Sequence, residues 1–168
     1  MTLLDAHELD PEIAGKRRRR IVIASVLVAG FLLVGVLGFL TNHGWWFSYW
    51  PAERIVGHFF DALQKQDYKT AYAIWENDPE WQKHLDRKAI RDYPFNDFYR
   101  DWGPGGEWGL IKTSKIYGAS KCPPLGNDNG SSGVVVDVIV NDRAEHAQVW
   151  VEKSDHTLSY APCELMFQ

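Results

Sequence analysis

Cysteine is nearly absent. The 168 residues hold two, Cys122 and Cys163, and neither sits in a CxxC or a metal-ligand spacing. A zinc ribbon and a thioredoxin-type redox pair are therefore excluded. Histidines 43, 58, 84, 146 and 156 include no HxH, HxxxH or HExxH pair, so a zinc site would need purely tertiary assembly. There is no Gly-x-Ser-x-Gly elbow. The glycine-rich run 103–109 lacks the Gly-Lys-Ser/Thr that phosphate binding requires, and reads as helix termination and a tight turn. No internal repeat and no low-complexity stretch interrupts the chain. No cofactor and no metal are expected.

Positive charge is scarce beyond residue 20. Setting aside the five cations and four acids of the first twenty residues leaves 13 Lys and Arg against 18 Asp and Glu. An acidic domain excludes nucleic acid as a partner and argues against docking on anionic lipid.

Charge is missing altogether from Ile21 to Leu40, where Ser25 is the one polar side chain. As a helix that run spans roughly 30 Å, the thickness of a hydrocarbon core. In lipid each backbone group must be satisfied within the segment, which makes helix the reading for a single span. A signal-peptide core is shorter and ends at a small-residue site, whereas Thr41-Asn42-His43-Gly44 follows here, so an uncleaved anchor is expected. Lys16 to Arg20 place five cations at its N-terminal end, and the next cation is Arg54. The positive-inside rule keeps residues 1–20 cytoplasmic, as a short disordered tail, and sends the remainder across to the periplasmic or extracellular side of a plasma (inner) membrane. A nucleic-acid reading of the arginine run loses its basis beside such a span. No ionisable group lies inside the span, so a proton relay has no support. Ser25-xxx-Ala29 is its one small-xxx-small pair, a weak signal for helix pairing.

Trp45, Trp46, Tyr49 and Trp50 follow, within a belt over 41–50. Amphipathic rings prefer the headgroup layer, so the lipid bilayer is the first expected partner; a quinone or lipid site is the functional alternative. In the oxidising compartment beyond, Cys122 and Cys163 are expected to form a disulfide, against the alternative of two buried thiols. Asn129-Gly130-Ser131 is formally a glycosylation sequon.

Residues 51–168 amount to one small domain. Pro51 suits a first helical position, and Ile55, Val56, Phe59, Phe60 and Leu63 recur at helical spacing over 51–64. Asp67 can cap a second helix with Tyr68, Ala71, Tyr72 and Trp75 on its apolar face. Asp78-Pro79 predicts a third, with Trp81, Leu85 and Ala89 inward, and Phe95, Phe98 and Trp102 mark a fourth, short helix. After Gly103–Gly106 the period becomes two. Strands are predicted over 107–118, 134–140, 144–153 and 157–167; Val134, Val136, Val138 and Val140 share one face of the second. The fold class is α+β: after the membrane helix, three to four helices pack on a four-stranded, mostly antiparallel, curved sheet.

The cadence from Ile55 to Tyr72, apolar-x-x-x-Phe-Phe-Asp-Ala-Leu followed by Asp-Tyr-x-x-Ala-Tyr, resembles the opening of the nuclear-transport-factor-like (SnoaL/cystatin-like) α+β cone superfamily. The resemblance covers 51–168 in element order and 53–76 in motif. It implies a cone between sheet and helices that serves as a pocket, in a membrane-anchored bacterial member of unknown role. The superfamily holds isomerases and hydrolases as well as binding and scaffold domains, and no catalytic motif of its enzymes can be placed on this chain.

Eight Trp, seven Tyr and eight Phe are the remaining signal. A ring-rich core is the plain explanation. The functional one is an aromatic-lined cone whose candidate pocket residues are Tyr99, Asp101, Trp102, Asp137, His146 and Trp150, with Asp97 a further polar candidate. His146 shares a strand parity with Gln148 and Trp150. Two functions follow: a non-enzymatic binding module or accessory subunit, with subunits of a membrane complex as protein partners, or a small-molecule isomerase or hydrolase using an acid/base in the cone.

Overall fold

The computed structural model describes residues 11–40, 46–122 and 132–163. Residues 1–10, Trp45, the Asn129 sequon and the end of the fourth predicted strand lie outside them. The first helix, α1, runs Pro11–Leu40. It starts well before the apolar run, so residues 11–20 are helical where a disordered tail was expected. Pro11 suits the first helical turn, and a helix nucleated beside a long apolar stretch extends at little cost. Its large apolar side chains face outward, with Phe39 75 % exposed. A helix in a domain core would be buried, whereas this one is long and apolar enough to cross a membrane.

Helix α2, Trp46–Gln64, begins before Pro51 and carries that proline inside it. Proline has no N–H to give the preceding turn, so the helix forgoes the bond from position 51 to the residue 47 carbonyl. The aromatic belt and the first domain helix are thus one element. Tyr49 packs against the domain core, whereas Trp50 stays exposed beneath the Arg54 guanidinium, 5.5 Å from its ring centroid. Farther along, Val56, Phe59, Phe60 and Leu63 are fully buried, the face the helical spacing predicts.

Asp67 caps α3, Tyr68–Trp75, by accepting the Thr70 N–H at 3.1 Å. No long helix follows Asp78-Pro79. The chain makes a 3-10 turn at Trp81–Lys83 and a short α4 at Lys88–Asp92, leaving Leu85 and Ala89 exposed and Ile90 buried instead. The reason is the Asp78 carboxylate, which takes the Glu80 N–H at 3.0 Å, His84 Nδ1 at 2.7 Å and Arg87 at 2.8 Å. Those partners fold the segment around one buried acid. Burial pushes the Asp78 carboxyl up, but the bonds from His84, Arg87 and the Glu80 amide outweigh it and hold the group below the ordinary aspartate value. Helix α5, Phe95–Trp102, follows as predicted.

The sheet is β1 (Ser114–Ser120), β2 (Gly133–Val140), β3 (His146–Glu152) and β4 (Leu158–Tyr160), antiparallel throughout and in chain order. The strand predicted over 107–118 begins only at Ser114, because residues 108–113 are bonded by a side chain. Asn141 Oδ1 accepts the Lys112 and Thr113 amides, and its Nδ2 donates to the Trp108 and Leu110 carbonyls. Asn141 and Asp142, both at φ 53°, form the β2–β3 turn, a left-handed conformation these residues tolerate.

Val134, Val136, Val138 and Val140 face the helices together with Ala147, Val149 and Val151. Phe59, Trp75, Phe98 and Trp102 fill the space between the layers, Phe59 lying 5.1 Å from Trp102 and 5.5 Å from Trp75 between ring centroids. The opposite face has a small core of its own, formed by Val135, Trp150 and Cys122. Trp150 lies so close over Gly133 that a Cβ there would collide with its ring. Cys122 and Cys163 are joined on this side, with Cα atoms 5.9 Å apart.

Candidate functional site

The six residues expected in one pocket belong to two places. Tyr99, Asp101 and Trp102 lie on α5, on the helical side, while Asp137, His146 and Trp150 project from the other face of the sheet. Strand alternation enforces the separation: Val136 and Val138 point to the helices, so Asp137 between them cannot.

On the helical side, the Tyr93 hydroxyl lies 2.9 Å from Asp101 Oδ2 and 2.9 Å from the Tyr160 hydroxyl, which in turn donates to Asp101 at 3.2 Å. This triangle clasps β4 to α5. Burial above all, then the contacts with one another and with Asp101, push the Tyr93 hydroxyl far up, and burial likewise raises Tyr160. Both remain protonated donors. Asp101 also accepts from Arg100 Nε at 3.2 Å. Tyr99 is turned away, edge-on to Tyr68 at 4.9 Å. Asp97 accepts from Arg100 at 2.9 Å on the surface. Trp102 is buried parallel to Tyr160, with ring centroids 6.1 Å apart, and its indole nitrogen has no hydrogen-bond partner among the described residues.

Across the sheet, Asp137 is 1 % exposed and holds His146 Nδ1 at 2.8 Å. With Nδ1 engaged by the carboxylate, Nε2 is the imidazole's other polar atom. Asp137 Oδ1 has no hydrogen-bond partner among the described residues. Gly118 lies opposite Asp137 and brings no side chain to compete for it. An irregularity between Ile116 and Gly118 accompanies the approach of Tyr117, whose ring centroid is 5.1 Å from that of His146. Trp150 belongs instead to the small core around the disulfide.

The two places meet at one end of the sheet. β4 pairs only with Val149–Val151, and the chain then leaves through Ala161-Pro162-Cys163, where proline cannot donate to a ladder and Cys163 is tied to Cys122. A cavity of about 410 Å³ opens there. Its lining residues include the aromatic Trp102, Trp108 and Tyr160, the acidic Glu107 and Glu145, and His146. No lysine or arginine is among the lining residues. Trp108 also carries the Arg143 guanidinium 5.8 Å from its ring centroid, and Arg143 ties the loop by donating to the Glu107 carbonyl at 2.9 Å.

No protein-family model, curated protein or solved structure matches this chain. The site therefore stands on its own geometry. Of the expected pocket residues, Trp102 and His146 reach the cavity; Tyr99, Asp101, Asp137 and Trp150 do not line it. Trp108 and Tyr160 show in the sequence only as part of the aromatic surplus. Glu107 and Glu145 carry no local signal, because a turn and an irregular loop bring them to the cavity. Among the described residues no three His, Cys, Asp or Glu side chains gather in a way that could hold a metal.

Proposed function

We propose that this chain is a single-pass membrane protein whose α+β domain, tethered by α1 on the side away from its cationic end, works as a binding module or accessory subunit of a membrane complex. The observation that carries the reading is α1 itself: an uncharged, outward-facing run of membrane length with Lys16–Arg20 at one end. The Cys122–Cys163 disulfide supports an oxidising compartment. The order of elements, helices first and then four antiparallel strands, supports kinship with the nuclear-transport-factor-like cone. The ring-filled space between helices and sheet favours a scaffold over a superfamily-type catalytic cone. Alkaline carbonate extraction tests the tether. The full chain should remain in the membrane pellet and a variant lacking residues 16–40 should not; release of the full chain would contradict the reading. Purification in mild detergent should then recover a stoichiometric membrane-protein partner, against a solitary monomer.

A second reading, acid–base catalysis on a small molecule, is favoured by one observation, the Asp137-held imidazole at the cavity wall. Turnover lost in His146→Ala, with folding intact, would be its signature.

A further inference from the structure

We propose that the cavity at the open end of the sheet binds a small organic cation, an alkylammonium or quaternary ammonium group. The inference goes beyond the tethering reading, which rests on α1 and stands whatever the cavity holds.

Volume comes first. About 410 Å³ is room for a small molecule, in a site lined by rings with a few polar groups. The rings are the second point. Trp102, Trp108 and Tyr160 are among the lining residues, and tryptophan is the side chain whose π system attracts a cation most strongly. Arg143 over Trp108 shows that this wall already holds one positive group. Charge is the third point. Glu107 and Glu145 line the cavity, lysine and arginine do not, and His146 is tied at Nδ1 to a buried carboxylate. An anion would meet two acidic residues, and the cation on this wall, Arg143, is already engaged by the Trp108 ring and the Glu107 carbonyl. A neutral apolar ligand would leave both carboxylates unused. A cation uses the rings and the carboxylates together, and the acidic balance of the domain draws it in.

The Asp137–His146 pair gives the wall its shape. Because Nδ1 is held, Nε2 is the imidazole atom left to meet a polar group on the ligand.

The test is calorimetric titration of the full chain in an uncharged maltoside detergent with choline, and separately with 3,3-dimethylbutan-1-ol, its uncharged isostere. Choline should bind saturably and the isostere at least about tenfold more weakly. The double variant Glu107→Gln/Glu145→Gln changes two exposed carboxylates and should keep the parental melting temperature, while choline affinity falls by roughly tenfold. Absence of saturable choline binding, equal affinity for the isostere, or unchanged affinity in the folded double variant would each overturn the proposal. None of these results touches the membrane extraction, so failure of the cavity and failure of the tether are read separately.

Discussion

Asn141 occupies a left-handed turn position and gives both ends of its amide to the 108–113 segment, with four contacts of 2.8 to 3.3 Å. Asn141→Gly keeps the backbone conformation and loses all four, so a cost of about 2 kcal/mol is expected by chemical denaturation. Faster amide exchange at Lys112 should accompany it, and unchanged exchange there would refute the assignment. Glu76 carries a different prediction. It is nearly buried, and burial pushes its carboxyl up; the Arg87 charge opposes this, while Asp78 and Asp155 add to it. A group raised in the folded state contributes stability that is complete below its unfolded pKa and is lost as pH rises through the folded one. Glu76→Gln should therefore melt above the parent at pH 8, with the difference shrinking toward pH 4. A variant less stable than the parent at pH 8 would contradict it. Asn141 and Asp78 also show what sequence does not reveal. Neither a side chain replacing a strand ladder nor an acid gathering distant bases leaves a periodic trace. The strand start before Ser114 and the helix after Pro79 are misplaced by sequence pattern for those reasons.

At the scale of elements, β2 is the test piece. Both faces of Gly133–Val140 are covered, one by helices and the other by Trp150 and the disulfide. Val136→Ala and Val135→Ala should each cost on the order of 1 to 2 kcal/mol by urea denaturation. A sheet with one wet face would leave Val135→Ala near neutral, and that result would sink the two-faced arrangement. Long periodic elements are legible in the amino-acid pattern: α2 by its Phe59–Phe60–Leu63 face, α3 by the Asp67 cap, α5 by Phe95–Phe98–Trp102, and β2 by its valines. The candidate site is half legible. Aromatic surplus and His146 point toward it, but Asp137 is buried against His146, Trp150 packs into the core around the disulfide, and Glu107 and Glu145 arrive from irregular segments that sequence pattern does not orient.

For the whole molecule, the disulfide and the apolar helix are the two long-range constraints. The Cys122–Cys163 bridge closes a separation of 41 residues, which in the chain-entropy model is worth about 4 kcal/mol of stability. Cys122→Ser/Cys163→Ser should lower the unfolding free energy by about that amount, and an unchanged value would remove the bridge from the account. That bridge fits an oxidising compartment, and under the proposed tether α1 sets which side of the membrane the domain occupies. Paired reporters fused after Gln168 measure this directly: alkaline phosphatase, active only when exported, and a fluorescent protein that matures only in the cytosol. The account predicts an active phosphatase fusion and a dark fluorescent one. A bright fluorescent fusion beside an inactive phosphatase would place the domain in the cytosol and contradict the account at its centre.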